Sequence, residues 1–296
     1  MSQFSKIGII SKPDDSNIAG TVRALYQYLQ DHKLDIFVDS VSGSFLNIAN
    51  ELRSSAEEIA SNSDLAIVIG GDGTILHAGH KLIQQDIPLL GINLGNLGFL
   101  AEISPDDLAP QLDEILSGNY SEERRFVLQA SLIRNNKIVG TCSAINDVVV
   151  HAMQMVRMIE LETRVNNQHV NTLRADGYIV ATPTGSTAYA LSGGGPILHP
   201  NIDAIVLVPI CPHTLSNRPI VVDADNQVEI LLPEENRHTA LASIDGQINM
   251  DFMPGDKIVI EKGQHALRLI QPKDYDYFDV LREKLRWSAP PNSNSN

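Results

Sequence analysis

The run Leu65–Ala66–Ile67–Val68–Ile69 is apolar without a break, and it stops on Gly70–Gly71–Asp72–Gly73–Thr74. A strand with one wet face alternates apolar and polar side chains. A run without alternation is covered on both faces, as in a parallel sheet flanked by helices. The same sign recurs at Lys6–Ser11, Leu34–Val38 and Pro88–Ile92. Between these runs Ile18, Val22, Leu25 and Leu29 fall at helical spacing, a second helix is predicted through Leu52 and Ile59, and a third over Ile75–Gln84. Strands that alternate with helices build a parallel sheet with right-handed crossovers. The first domain is therefore expected to be α/β, with a Rossmann-like parallel sheet.

Beyond Gly118 the rhythm changes. Val127–Arg134, Lys137–His151, Met158–Val165, Tyr178–Thr182, Ala204–Pro209, Val228–Leu232 and Lys257–Glu261 are short, rich in β-branched residues and separated by Asn, Gly, Pro and Asp. They predict a mostly antiparallel, sandwich-like β domain. The expected division is residues 1–120, then 121–270, then a terminal helix in 271–288 packing back on the first domain, with a disordered polar tail over 289–296. No apolar stretch reaches the roughly 20 residues needed to span a bilayer. The N-terminus lacks a secretory layout, and two cysteines, Cys142 and Cys211, are too few for a disulfide framework, so a cytoplasmic protein is expected. A net charge of −14 argues against non-specific nucleic-acid binding, which needs clustered Lys and Arg, but not against one small anionic ligand.

Four segments carry candidate chemistry. Ligands of open α/β sheets gather at the carboxyl ends of the strands, where Gly70–Thr74 sits, and glycine lets the backbone approach a bulky anion. Asp72 then stands at a phosphate-sized gap with no Lys or Arg beside it in sequence, as a kinase base would. The plainer reading is a tight turn with Asp72 as a helix cap. The turn is neither a Walker loop nor a dinucleotide fingerprint. The second segment, Thr182–Pro183–Thr184–Gly185–Ser186–Thr187–Ala188–Tyr189, crowds hydroxyls at a predicted helix start, where free N–H groups would meet an anion and Tyr189 would offer a ring. Third, Asn146–Asp147 puts an amide and a carboxylate inside an apolar strand, either as a bulge or as a pair for ribose hydroxyls. Fourth, Asp245–Gly246–Gln247 reads first as a turn. Arg157 and Arg174 either balance a phosphate or pair with carboxylates such as Glu160 and Asp176. Cys211 and His213 lie two apart, with nothing nearby in sequence to complete a metal set.

With these segments in order, the chain closely resembles the NAD kinases. The resemblance rests on Gly70–Thr74, Asn93–Leu100, Asn146–Asp147, Asp176–Gly177, Thr182–Tyr189 and Pro209–Ile220, the Thr182–Tyr189 string being the most specific. Members usually carry Glu where this chain has Asp147, a shorter arm that still accepts a ribose hydroxyl. The resemblance implies transfer of the ATP γ-phosphoryl group to the 2′-hydroxyl of the adenosine ribose of NAD, giving NADP, with a divalent ion, Mg²⁺, on the phosphates. It implies Asp72 as proton acceptor, Gly73 as the surface on which the dinucleotide lies, and Asn146 and Asp147 as ribose ligands. It further implies Asp176 and Thr187, Ala188, Tyr189, Ala190, Leu191 and Ser192 as contacts of the nicotinamide half, with Arg157, Arg174 and Gln247 in further binding positions. The expected partners are NAD, ATP and further copies of the chain, as a dimer or tetramer, with no nucleic acid and no membrane. The rivals are a lipid or sugar kinase sharing the glycine turn, and a dinucleotide sensor without catalysis.

Overall fold

The structure is a computed structural model that describes residues 3–13, 18–95, 98–101, 103–153 and 158–287. The chain forms two compact units, Met1–Arg124 with Leu267–Asn296, and Arg125–Ala266.

The first unit opens β1 (Lys6–Ser11), α1 (Ile18–Asp31), β2 (Asp35–Val38), α2 (Ser40–Phe45), α3 (Ala56–Asn62), β3 (Leu65–Ile69), α4 (Asp72–Leu82), β4 (Leu89–Ile92) and α5 (Leu108–Ser117). Its strands lie in the order β2-β1-β3-β4, all parallel. Every residue of β3 is buried, as the unbroken apolar run requires. Ile18, Val22, Leu25 and Leu29 form the buried stripe of α1 and share one core cluster with Ile7, Ile67 and Ile92. The helix expected through Leu52 and Ile59 is broken. Asn50–Leu52 is a single 3₁₀ turn with Leu52 exposed, and a new helix starts after Ser55. The cause is local: Ser55 accepts the Glu58 N–H, and Glu58 reaches back to the Ser55 N–H, a capping box that begins α3.

β5 (Tyr120–Arg134) carries the chain out of the first unit. The second unit holds β6 (Lys137–Ala144), β7 (Asp147–Ala152), β8 (Ile159–Val165), β9 (Gln168–Ala175), β10 (Gly177–Ala181), α6 (Tyr189–Ser192), β11 (Ala204–Ile210), β12 (Ile220–Asp223), β13 (Val228–Leu231), β14 (Ala240–Ile244) and β15 (Ile248–Phe252). The last strand, β16 (Lys257–Pro272), starts there. One sheet runs β12-β11-β10-β7-β14-β15, antiparallel throughout. In the other, β13 lies antiparallel between β8 and β16, with β9 beyond β8, and β5 pairs with β6.

Side-chain alternation explains why an antiparallel strand can be apolar on both faces. Val148, Val150, Tyr178, Val180, Ile205 and Leu207 point into a core shared with Ile230 and Ile258 of the other sheet. Val149, Ile179, Ala181, Val206 and Val208 point the other way, onto Ala190 and Leu198 of the segment after β10. The central strands are thus covered on both sides.

From Leu267 onward the chain belongs to the first unit again. There Leu269 of β16 pairs in parallel with Leu89 of β4, and α7 (Tyr277–Leu285) buries Tyr277, Val280 and Leu281. The polar tail expected over 289–296 lies outside the described residues.

Candidate functional site

At the end of β3 the chain turns on Gly70–Gly71, and Asp72 is the first residue of α4. Its carboxylate does not cap its own helix. Oδ2 accepts the Phe99 N–H and Oδ1 the Leu100 N–H, each at 3.0 Å. Two charge-assisted bonds from one stretch of backbone fix both position and rotation of the group. Glycine at 98 is required by that grip, since a Cβ there would run into Asp72 Oδ1. Gly70 is required in the same way, because a Cβ would meet the Thr74 side chain. A Cβ on Gly73 would face open space, so this side of the turn is the approachable one.

A cavity of about 720 Å³ in the first unit is walled by this turn and by the carboxyl ends of β1 and β2. Ser11, Asp39, Ser55 and Thr74 supply polar groups, and Lys12 and Lys81 supply the cations. Sequence proximity to Asp72 hides both lysines, since one follows β1 and the other sits near the end of α4. Burial pushes the Asp39 carboxyl up from the ordinary aspartate range, against the hydrogen bond it accepts from the Ser42 N–H.

A second cavity, of about 300 Å³, belongs to the second unit. It gathers Asn146, Asp147, Ala188 and Tyr189 with His151, Ser243 and Asp245. Asp147 is 5% exposed. Burial pushes its carboxyl up to about 7, and the charge of Asp245 adds to the rise. Tyr189, in the cavity lining, is 47% exposed.

The hydroxyls of Thr182–Thr187 do not line an anion site at a helix start. A 3₁₀ turn, Gly185–Thr187, precedes a helix of only four residues, and the hydroxyls are spent inside the fold. Thr182 Oγ1 donates to the Ile145 carbonyl at 2.7 Å and accepts the Gly185 N–H at 3.1 Å. Ser186 Oγ donates to the Pro183 carbonyl at 2.6 Å and accepts the Leu198 N–H at 2.9 Å. Thr187 Oγ1 donates to the Thr184 carbonyl at 3.1 Å. Gly185 lies so close to Asn146 that a Cβ would overlap its carbonyl. The string is a frame that presents Ala188 and Tyr189. Ala190 is buried, Leu191 half-buried and Ser192 exposed along α6.

The other candidates lie elsewhere in the second unit. Arg174 sits opposite Glu160 in the β8–β9 register and lines a separate hollow of about 240 Å³ with Arg237 and His238. Asp176 is exposed where β9 passes into β10, its N–H donating to the Ile210 carbonyl at 3.0 Å. Gln247 is exposed in the β14–β15 turn. Arg157 lies outside the described residues. The holder of Asp72, the backbone of Phe99 and Leu100, does not show in residue type. The trace of it in the sequence is Gly98, where a Cβ would collide with the Asp72 carboxylate.

A family model described as the ATP-NAD kinase N-terminal domain matches residues 7–120, and one described as the ATP-NAD kinase C-terminal domain matches 145–272. The chain is 45% identical over 289 residues to the NAD kinase of Pseudoalteromonas translucida, covering 97% of this chain and 98% of that protein. It is equally close to the NAD kinase of Pseudomonas entomophila, with 98% of each covered. Among solved structures, an NAD kinase from Archaeoglobus fulgidus in complex with ATP superposes with a TM-score of 0.77 at 28% identity, covering 95% of this chain and 98% of that one. Yeast NADH kinase complexed with NADH shares the fold, with a TM-score of 0.86 at 24% identity over 98% and 90% of the two chains.

Proposed function

The chain belongs to the NAD kinase family, and from that premise we propose that it moves the γ-phosphoryl group of ATP to the 2′-hydroxyl of the adenosine ribose of NAD, with Asp72 taking the hydroxyl proton. The observation that carries this reading is the grip on Asp72. A carboxylate has about four lone-pair sites, and two are used by the Phe99 and Leu100 N–H groups, so two remain for a substrate hydroxyl. Phosphoryl transfer passes through a loose transition state, so aim and charge balance do most of the work. A carboxylate held by backbone is well aimed. In the 720 Å³ cavity, Lys12 and Lys81 are the cations available to the triphosphate.

A divalent ion, expected as Mg²⁺, belongs to the same reading. Among the described residues no three His, Cys, Asp or Glu side chains come together as a cage. An ion that arrives on a triphosphate needs only one or two carboxylates, the rest of its shell being phosphate oxygen and water. Asp39, in the cavity wall, is a carboxylate that fits this part. Bound there, the ion would offset the phosphate charge.

For the acceptor, Asn146 and Asp147 are the ribose ligands, and Tyr189 and Ala188 the contacts of a ring and its amide. Their shared cavity supports this. Gly73, Asp176, Thr187, Ala190, Leu191, Ser192, Arg157, Arg174 and Gln247 keep the binding roles that the family resemblance implies. A homo-oligomer and a cytoplasmic location complete the reading. No described helix is long and apolar enough to cross a membrane, and both cysteines are free.

Asp72→Asn tests the assignment. The amide keeps the size of the side chain but cannot take up the proton. NAD binding by calorimetry should persist while turnover falls about 10²-fold or more, the range of a lost general base. Turnover near that of the wild type would remove Asp72 from the role.

A further inference from the structure

The corner between β6 and β7, Ile145–Asn146–Asp147, is held from two sides. On one side the Asp245 carboxylate accepts three successive backbone N–H groups. Oδ2 takes that of Ile145 at 2.8 Å, and Oδ1 takes those of Asn146 at 2.8 Å and Asp147 at 2.9 Å. On the other side the Thr182 hydroxyl donates to the Ile145 carbonyl at 2.7 Å, and the Thr182 N–H to the Asn146 carbonyl at 2.9 Å. The Asp147 carbonyl accepts the Asp245 N–H at 3.0 Å. Every backbone donor and acceptor of the three residues is thus matched, in a corner that would otherwise leave several orphaned between two strands.

Ninety-odd residues separate Asp245 from this corner, so the clamp is tertiary. The aspartate also adopts a left-handed backbone, with φ 49°, ahead of Gly246. A plain hairpin turn asks for Asn, Asp or Gly at that position, but no turn asks for a carboxylate that collects three distant N–H groups. A charged acceptor for three amides is a strong, directional anchor. It leaves the Asn146 and Asp147 side chains on backbone that cannot relax.

We propose that Asp245 is a positioning residue for the dinucleotide acceptor, acting through the backbone of Asn146 and Asp147, with Thr182 as its counterpart on the carbonyl side. The proposal rests on the reading that Asn146 and Asp147 touch the ribose of NAD. Asp245 differs from them in having both carboxylate oxygens committed to the corner.

The test uses the full chain with Asp245→Asn, Thr182→Val and Thr182→Ser. Asparagine tolerates the left-handed backbone, so the turn survives, but its amide offers one acceptor oxygen and an NH₂ group to three N–H donors. The expected result for Asp245→Asn is a KM for NAD raised about 10- to 100-fold, as for a contact misplaced by about 1 Å, with the KM for ATP unchanged. Thr182→Val should do the same from the opposite side, and Thr182→Ser, which keeps the hydroxyl, should restore the wild-type value. A second readout separates aim from bulk stability. Asp147 faces Asp245, with His151 and Tyr189 in the same cavity. Removing the neighbouring negative charge should move the pH at which the KM for NAD changes to lower values. An unchanged KM for NAD with an unmoved pH inflection overturns the proposal. So does an equal rise in both KM values with a lowered Tm, the mark of a merely structural residue. Asn146→Ala and Asp147→Asn serve as controls. If they leave the KM for NAD untouched, the ribose reading itself is at fault. If they raise it and Asp245→Asn does not, only the positioning role fails.

Discussion

Asp147 holds its carboxyl buried, beside another carboxylate, and both circumstances favour the protonated form. Its folded-state pKa of about 7 lies above the ordinary aspartate value of 3.8. Between those two pH values the folded chain holds a proton that the unfolded chain has released. Stability from this residue is therefore present at low pH and lost as pH rises through 7. Asp147→Asn removes the titration and keeps the size. Its Tm, compared with that of the wild type, should rise progressively between about pH 4 and pH 7 and level off above that. A difference that stays flat across that range would show that Asp147 ionises normally in the folded chain. At this scale Asp72 and Asn146–Asp147 stand out in the sequence as polar groups at odd places. Their holders do not. Phe99, Leu100 and the Asp245 carboxylate act through backbone amides, and a backbone amide has no signature in residue type.

Among the elements, the strands with both faces covered were plain in the sequence, because burial on two sides leaves only apolar residues to choose from. Lys6–Ser11 and Leu65–Ile69 fall where the pattern put them. The strands that went unread, β9, β12, β14 and β15, are mostly sheet edges. An edge strand with one wet face demands little apolar character, and β9, with its pattern Gln168–His169–Val170–Asn171–Thr172, shows almost none. The segment after β10 suggests a ligand-facing helix start in the sequence because hydroxyls serve that purpose well. The same hydroxyls also serve as internal ties when a tight turn must bury its own backbone. Ser186 is the test of that finding. It is fully buried, and its Oγ satisfies both the Pro183 carbonyl and the Leu198 N–H. Ser186→Ala should destabilise the protein by about 1–3 kcal/mol in urea unfolding, the penalty of a buried donor left without a partner. An unchanged midpoint would mean that the turn does not rely on it.

For the whole molecule, the −14 charge argues against non-specific nucleic-acid binding without naming a substrate. What named it was the joint presence of two strings, Gly70–Thr74 and Thr182–Tyr189, in units of different architecture. The first unit supplies a parallel sheet with a cavity at its strand ends that holds two lysines, and the second an antiparallel frame around a cavity with a carboxylate, an amide and an aromatic ring. The division of the chain was harder to see than either string, because the first unit takes back Leu267–Pro272 and α7 after the second is complete. A single strand that serves two units gives no break in composition. The proposed reaction forms one bond, between the ATP γ-phosphorus and the 2′-oxygen of the adenosine ribose. It is tested most directly by ³¹P NMR of the purified chain with NAD, ATP and Mg²⁺. A new 2′-phosphomonoester signal growing in step with ADP is expected. ATP consumed without that signal, or a phosphate appearing on any other hydroxyl, would contradict it.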